Sequence, residues 1–401
     1  MIGRIIPRSL LVSAICMLLV LTACSSGTRS KASPGAKGSG PELAFGLIGS
    51  FSGALGSPGI PIAAKVWASS VNAAGGLNGS RVRIVKKDVS TTTGAGLTAA
   101  KQLIEQDHVV AIFDTDSNDN TWLPYTATTN VPVVGFTSIG SSTSPNAFPV
   151  SVTPLALAYA LPALGKTVGS KFGVLYCAEA PSCGGLAALI SKNASTAGVS
   201  VPVSLKISSS APDYTAACQS LKAGGVDSYL VIAGTPLVKK IADQCYQEGL
   251  RAKLVQNGAQ VSASWKTDPA FNGAIISDNT APYFLNNTPA HQAYRTALSK
   301  YAPSYVGGDL DNGLMELPWL QGELISAAAS HVTGTLTGKS LKRGLYALRA
   351  ETLGGMIQPV TFRAGKPTLL ACYFSWGIDN GEYTAPNGDH YSCAPSSALG
   401  G

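Results

Sequence analysis

The sequence predicts an α/β protein made of two doubly wound, Rossmann-like lobes with parallel sheets. Two observations predict it. Short apolar runs of strand length alternate with stretches of helical period, and the series restarts near residue 172. Polar loops rich in Gly, Ser, Asp or Asn follow the runs, where an open α/β sheet forms its ligand crevice.

Each element has its own signal. Residues 43–48 read as a strand, followed by a Gly/Ser loop over 50–59. Residues 62–74 have helical period and stop at Gly75-Gly76, since glycine accepts the left-handed conformation that ends helices. A strand at 82–85, a helix at 96–106 and a buried strand at 109–113 come next. The polar run 114–120 ends that strand, and 137–144 ends the following one at 131–135. The second series has strands at 172–176, 201–207, 228–233, 253–256 and 273–277. Its helices fall at 185–197, 214–223 and 236–248. Helices at 291–301, 316–331 and 340–348 precede a tail, 359–393, whose Gly, Pro and aromatic residues suggest hairpins.

The N-terminal segment is not fold. Arg4 and Arg8, an apolar run from Leu10 to Leu21 and small residues at a cut have the layout of an export signal. Leu21-Thr22-Ala23-Cys24 resembles the bacterial lipobox, which implies cleavage after residue 23 and a lipid on Cys24. Residues 24–41 read as the lipidated cysteine and a flexible tether of Ser, Gly, Ala, Pro and Lys. An anchor in a bacterial cell membrane, on its extracytoplasmic face, is the expected localisation. Five positive charges and no acids lie before residue 42, so the formal +7 of the whole chain leaves only +2 for the globular part. A basic stripe for nucleic acid has no support there.

Six cysteines remain: Cys177, Cys183, Cys218, Cys245, Cys372 and Cys393. An even set in an exported chain suggests disulfides. Fifteen pairings are possible, and sequence neighbours are the expected partners. Zinc lacks a C-x-x-C pair. Asp114-Thr-Asp116-Ser-Asn118 starts like a calcium loop but has Asp119 at the glycine position and Tyr125 at the final glutamate position. Gly334 and Gly338 are one residue too close for a P-loop, and Gly49-Ser-Phe51-Ser-Gly53 has Phe at the nucleophile position. The four histidines lack metal-ligand spacing, and no nucleophile can be matched with a base. No metal, cofactor or catalytic residue is expected.

Several segments together resemble one family. They are Gly46-Leu47-Ile48-Gly49-Ser50-Phe51-Ser52-Gly53, then Val71-Asn72-Ala73-Ala74-Gly75-Gly76-Leu77-Asn78-Gly79, then Asp88. Val131-Pro132-Val133-Val134, Pro212-Asp213-Tyr214, Gly224-Gly225-Val226-Asp227 and Glu248-Gly249-Leu250 add to the match. The chain resembles type I periplasmic binding proteins of the branched-chain amino-acid-binding family, which serve ABC importers. The resemblance implies a three-segment hinge, with crossings near 149–154, 280–284 and 353–359. Lobe one is then 42–151 plus 284–355, and lobe two 152–283 plus 356–401.

The resemblance also implies site residues. The loop after the first strand supplies Ser52. The turn after the strand at 109–113 supplies Ser117 or Asn118 to a ligand carboxylate, with Asp114 where the family has Gly. Thr137 and Ser138 match a segment whose carbonyl and hydroxyl meet a ligand ammonium. In lobe two, Cys183-Gly184 replaces a Tyr-Gly pair, and later loops offer Thr235, Gln256, Asn257 and Tyr283. Asp114, Asp116 and Asp119 in one loop suit a cationic, amide or polyhydroxylated ligand better than a free carboxylate. The alternative for Asp116 and Asp119 is helix capping, and for Tyr283 packing at a crossing. The expected function is capture of a small polar ligand, such as an amino acid or amide, by a monomer that delivers it to ABC permease and ATPase subunits. The alternative is a ligand sensor acting on a membrane receptor; an exported enzyme comes third.

Overall fold

The computed structural model describes residues 40–52, 56–90, 94–135, 138 and 140–400. Cys24, the rest of the expected signal and tether, and Thr137 lie outside them. Two sheets with separate cores organise the chain. The first contains β1 (Gly40–Gly49), β2 (Ser80–Asp88), β3 (Ala111–Thr115), β4 (Val133–Gly135) and β5 (Ala147–Pro149). The order is β2-β1-β3-β4-β5 and every pair is parallel. The connecting helices are α1 (Gly59–Ala73), α2 (Ala95–Lys101) and α3 (Leu123–Ala127).

The chain then enters α4 (Pro154–Gly165) and builds β6 (Lys171–Cys177), β7 (Ser200–Ile207), β8 (Ser228–Ile232), β9 (Lys253–Asn257) and β10 (Ala274–Asp278). Between them run α5 (Pro181–Asn193), α6 (Thr215–Ala223) and α7 (Thr235–Gln247). The strands run β7-β6-β8-β9-β10, the order of the first sheet repeated. Helices α8 (Pro289–Tyr301), α9 (Gly313–Ala329) and α10 (Gly338–Ala347) return to the first core. The tail forms β11 (Cys372–Asp379), β12 (Glu382–Thr384) and β13 (Tyr391–Cys393), with β11 antiparallel to β10. Both β12 and β13 pair with β11, so the expected hairpins complete the second sheet.

Why these runs become central strands follows from burial. Parallel strands covered by helices on both faces need apolar residues at successive positions. Phe45, Leu47 and Ile48 of β1 are buried, as are Ala111, Ile112 and Phe113 of β3. Trp67 on α1 lies edge-on to Phe45, with ring centroids 5.6 Å apart, and 5.3 Å from Phe113. In the second core, Phe172, Val174 and Leu175 of β6 play the same part.

Val150 packs in the first core, whereas Leu161 on α4 packs in the second. Met356, Ile357, Val360, Phe362 and Leu370 also belong to the first core. This apolar segment fills the first core. Tyr283 and Phe284 pack with the second core. The crossings touch one another. Thr153 N–H donates to the Leu370 carbonyl at 2.9 Å, and Ala281 N–H to the Met356 carbonyl at 2.9 Å.

All three disulfides join sequence neighbours: Cys177–Cys183, Cys218–Cys245 and Cys372–Cys393. The second ties α6 to α7, with both cysteines inaccessible. The third joins facing residues of β11 and β13.

Candidate ligand-binding site

In a sheet ordered 2-1-3-4-5, the helices change sides between the first and third strands, and a crevice opens there. In lobe one this places the loops after β1 and β3 side by side. In lobe two it does the same for the loops after β6 and β8.

The loop after β1 is held by Asp88 at the end of β2. Its carboxylate accepts from Phe51 N–H at 3.1 Å and from Ser90 N–H at 3.0 Å. Partial burial pushes the Asp88 carboxyl up, but bonds from Ser52, Phe51 and Ser90 outweigh it and hold the acid low. Ser52 is exposed, and its hydroxyl is one of those donors. Asp88 carries part of the resemblance, yet nothing in the sequence shows that it anchors Ser52.

The loop after β3 folds around its acids. Asp114 is inaccessible and accepts from Asp116 N–H at 2.9 Å. Asp116 accepts from Asn118 N–H at 3.0 Å and, through its other oxygen, from the Trp122 indole at 3.0 Å. These successive Asx turns direct Ser117 and Asn118 outward, and both are exposed. Asp119 is buried and accepts from the Ser138 hydroxyl. Burial, then the charge of Asp119, pushes the Asp114 carboxyl well above the usual range. Burial also raises Asp119, to about 6, against the Ser138 and Asp114 hydrogen bonds that lower it. Asp114 Oδ2 and Asp119 Oδ2 are buried without a hydrogen-bond partner among the described residues. The acids thus serve the loop's interior, and Asp116 has both oxygens engaged.

Ser138 is similarly committed. Its hydroxyl accepts from Ser141 N–H at 3.0 Å, and its own N–H donates to Ser141 Oγ at 2.7 Å. Behind the loop, Gln321 of α9 donates to the Asp114 carbonyl at 2.7 Å. The sequence gives no cue for this support, because the partners are more than 200 residues apart.

In lobe two, the Cys177–Cys183 bridge closes the turn between β6 and α5, placing Cys183 in the helix's first turn. Glu179 in that turn accepts from Ser209 N–H and from the Ser208 and Ser209 hydroxyls. Thr235 begins α7 and is half-buried. Gln256 is buried and donates to the Val231 carbonyl at 2.8 Å, while Asn257 accepts from Ala259 N–H at 2.9 Å. Tyr283 is 2% exposed, its ring packed among Phe284, Trp376 and Tyr383. The structure therefore shows packing contacts for Tyr283.

Helix α9 links the lobes. Its cap, Asn312, accepts from Met315 N–H at 3.0 Å and donates to the Val261 carbonyl of lobe two at 3.2 Å. Asp278, at the end of β10, accepts from the Trp376 indole at 2.8 Å and from Asn279 N–H at 2.8 Å. Burial nevertheless raises its carboxyl to about 6. A Cβ on Gly258 would stand 2.2 Å from this carboxyl, and one on Gly313 2.9 Å from it, so both glycines permit the contact. Among the described residues, no group of three His, Cys, Asp or Glu side chains could hold a metal. No helix among them is long and apolar enough to cross a membrane.

Two sheets whose parallel strands share the order 2-1-3-4-5, joined by three adjoining crossings, define the architecture of type I solute-binding proteins. The sequence matches the periplasmic binding protein family over residues 42–382, and the chain belongs to that family. Solved structures share the fold. A leucine-binding protein from Thermotoga maritima is 15% identical, with 88% of this chain and 99% of that one covered at a TM-score of 0.70. A branched-chain amino-acid ABC transporter protein from Thermus thermophilus, solved with valine, is 13% identical at 88% and 97% coverage, TM-score 0.73. A solute-binding protein from R. palustris, solved with 4-hydroxybenzoate, is 16% identical at 89% and 99% coverage, TM-score 0.71. No curated protein matches the chain.

Proposed function

We propose that this is a lipid-anchored extracytoplasmic solute-binding protein that captures a small polar ligand between its lobes and delivers it to an ABC importer. The observation that carries this reading is the loop after β3. It spends its acids on internal bonds and presents Ser117 and Asn118 outward at the switch point of the first sheet. Ser52, fixed by Asp88, faces the same crevice from the neighbouring loop. Thr235 at the start of α7 is the matching contribution from lobe two. Ser138 and Asp116 shape the site through bonds already made. Hydroxyls and amides suit amino acids, amides or aromatic acids, and the solved relatives hold ligands of the first and last kind.

A thermal-shift screen of amino acids, amides, polyamines, sugars and aromatic acids tests this reading. A ligand that binds the folded form raises the melt by an amount set by RT ln(1 + [L]/Kd). At least one class should do so in a manner that Ser117→Ala with Asn118→Ala abolishes. A melt unmoved by every class would refute the binding role. Metabolic labelling with palmitate tests the anchor: Cys24→Ala should remove the label, and a label that persists overturns the assignment.

A further inference from the structure

A cavity of about 290 Å³ opens in lobe one between α8 and α9, beneath the segment that follows α10. It shares no residue with the loops of the proposed cleft. Ala290, Trp319, Leu353 and Met356 make its wall largely apolar, and Glu323 and Glu351 bring two carboxyls to it. Trp319 and Glu323 are one helical turn apart on α9, so they meet the space together.

The two carboxyls differ. Glu351 is already engaged, accepting from Thr352 N–H at 3.0 Å and Leu353 N–H at 2.8 Å. Glu323 has no such partner. The Trp67 indole N–H, wholly inaccessible, faces it without closing an ordinary hydrogen bond. Burial pushes the Glu323 carboxyl up to about 7 against the Trp67 indole, which pulls it down, and no cation adds to that pull. A largely buried acid thus stands beside open space without a counter-ion. Such an arrangement is costly unless something pairs with it.

We propose that this cavity binds a small organic ammonium compound, whose charged nitrogen pairs with Glu323 while its apolar body lies against Trp319, Leu353 and Met356. The chemistry excludes the main alternatives. An anion meets two carboxyls. A hard metal ion needs six or more oxygens, whereas this wall is mostly carbon. A neutral apolar molecule leaves Glu323 without a partner. An ammonium group supplies N–H donors for a charge-assisted bond, and the indole face attracts its positive charge. The wall is held in place by close packing: Gly354 has φ +71°, and a Cβ there would stand 2.7 Å from Ala290 Cβ.

Calorimetric titration of the full-length protein in detergent with 2-phenylethylamine tests the proposal, with 2-phenylethanol and 3-phenylpropionate as neutral and anionic counterparts. The amine should bind at one site, and the counterparts at least about tenfold more weakly, as expected for loss of a charge-assisted bond. Glu323→Gln should weaken the amine about tenfold or more by the same reasoning. Ala293→Phe, an exposed position at the mouth, should block entry without touching the core. Asn118→Ala should leave amine binding unchanged. Absence of amine binding to the unmodified protein overturns the proposal, as does equal affinity in Glu323→Gln. Loss of binding in Asn118→Ala with retention in Glu323→Gln would place the amine in the cleft and also overturn it.

Discussion

The Gln358 side chain pairs with the backbone of Cys372 as a neighbouring strand would. Its amide donates to the Cys372 carbonyl at 2.9 Å and its oxygen accepts from the Cys372 N–H at 3.1 Å. Gln358 is 4% exposed and belongs to the segment that fills the first core. Replacing it with Leu leaves two backbone groups without partners. We expect Gln358→Leu to lower stability by about 1–3 kcal/mol, measured by denaturant titration. A midpoint unchanged from the parent protein would show that water replaces both bonds.

Several buried acids set the pH dependence of folding. Burial raises Asp119 and Asp278 to about 6 and Glu323 to about 7, and lifts Asp114 and Glu316 well above the usual range. An acid whose folded pKa exceeds its unfolded value favours the folded state at low pH and loses that contribution as pH rises through the folded value. The unfolded values lie near about 4. The melt at pH 5 should therefore exceed the melt at pH 8, and Asp278→Asn should flatten the decline. A melt that rises from pH 5 to pH 8 contradicts this account.

The disulfides should differ in their contributions. Closing a longer loop removes more freedom from the unfolded chain, so the 27-residue span of Cys218–Cys245 contributes about 3.5 kcal/mol and the 6-residue span of Cys177–Cys183 about 2. Paired Cys→Ala variants compared by chemical denaturation measure the difference. Equal losses would point to native-state packing as the dominant influence. Non-reducing peptide mapping should recover all three neighbour pairs.

Ser117 and Asn118 are exposed, and their side chains are outside the loop's internal bonds; only the Asn118 backbone is engaged, its N–H by Asp116 and its carbonyl by the Thr121 hydroxyl. Ser117→Ala with Asn118→Ala should therefore leave the empty protein's melt within about 0.5 kcal/mol of the parent. Ligand affinity should fall about tenfold or more if two hydrogen bonds to the ligand are lost. Measuring both quantities on the same samples separates binding from folding. Unchanged affinity removes these residues from the site.

The strands were legible because apolar runs such as Phe45–Ile48 must be buried on both faces. Glycines also marked helix ends: Gly75 and Gly76 follow α1 with φ of +103° and +87°. Helix α4 escaped the pattern. Its residues are apolar almost throughout, with Pro154 at the first turn and Pro162 inside, because the second core and the tail cover it. Without a polar face there is no period to read. The cysteines could pair in fifteen ways by sequence; neighbour pairing was the expectation, and the structure has it.

The site was legible as loops but not as roles. Composition placed three acids, Ser117 and Asn118 in one turn. Which of them points outward depends on the Asp114–Asp116–Asn118 chain of turns and on partners at Ser138, Trp122 and Gln321. By itself, the sequence determined two α/β series and their strands, since each rests on local spacing and on the need to bury apolar runs, while the cysteine pairing was left open among fifteen possibilities. Only the tertiary structure decided that the acids turn inward, that Tyr283 packs among aromatics and that the segment from Met356 to Leu370 packs in the first core. Those outcomes depend on contacts between distant segments, where burial and hydrogen bonding compete, and no local pattern records which contact prevails.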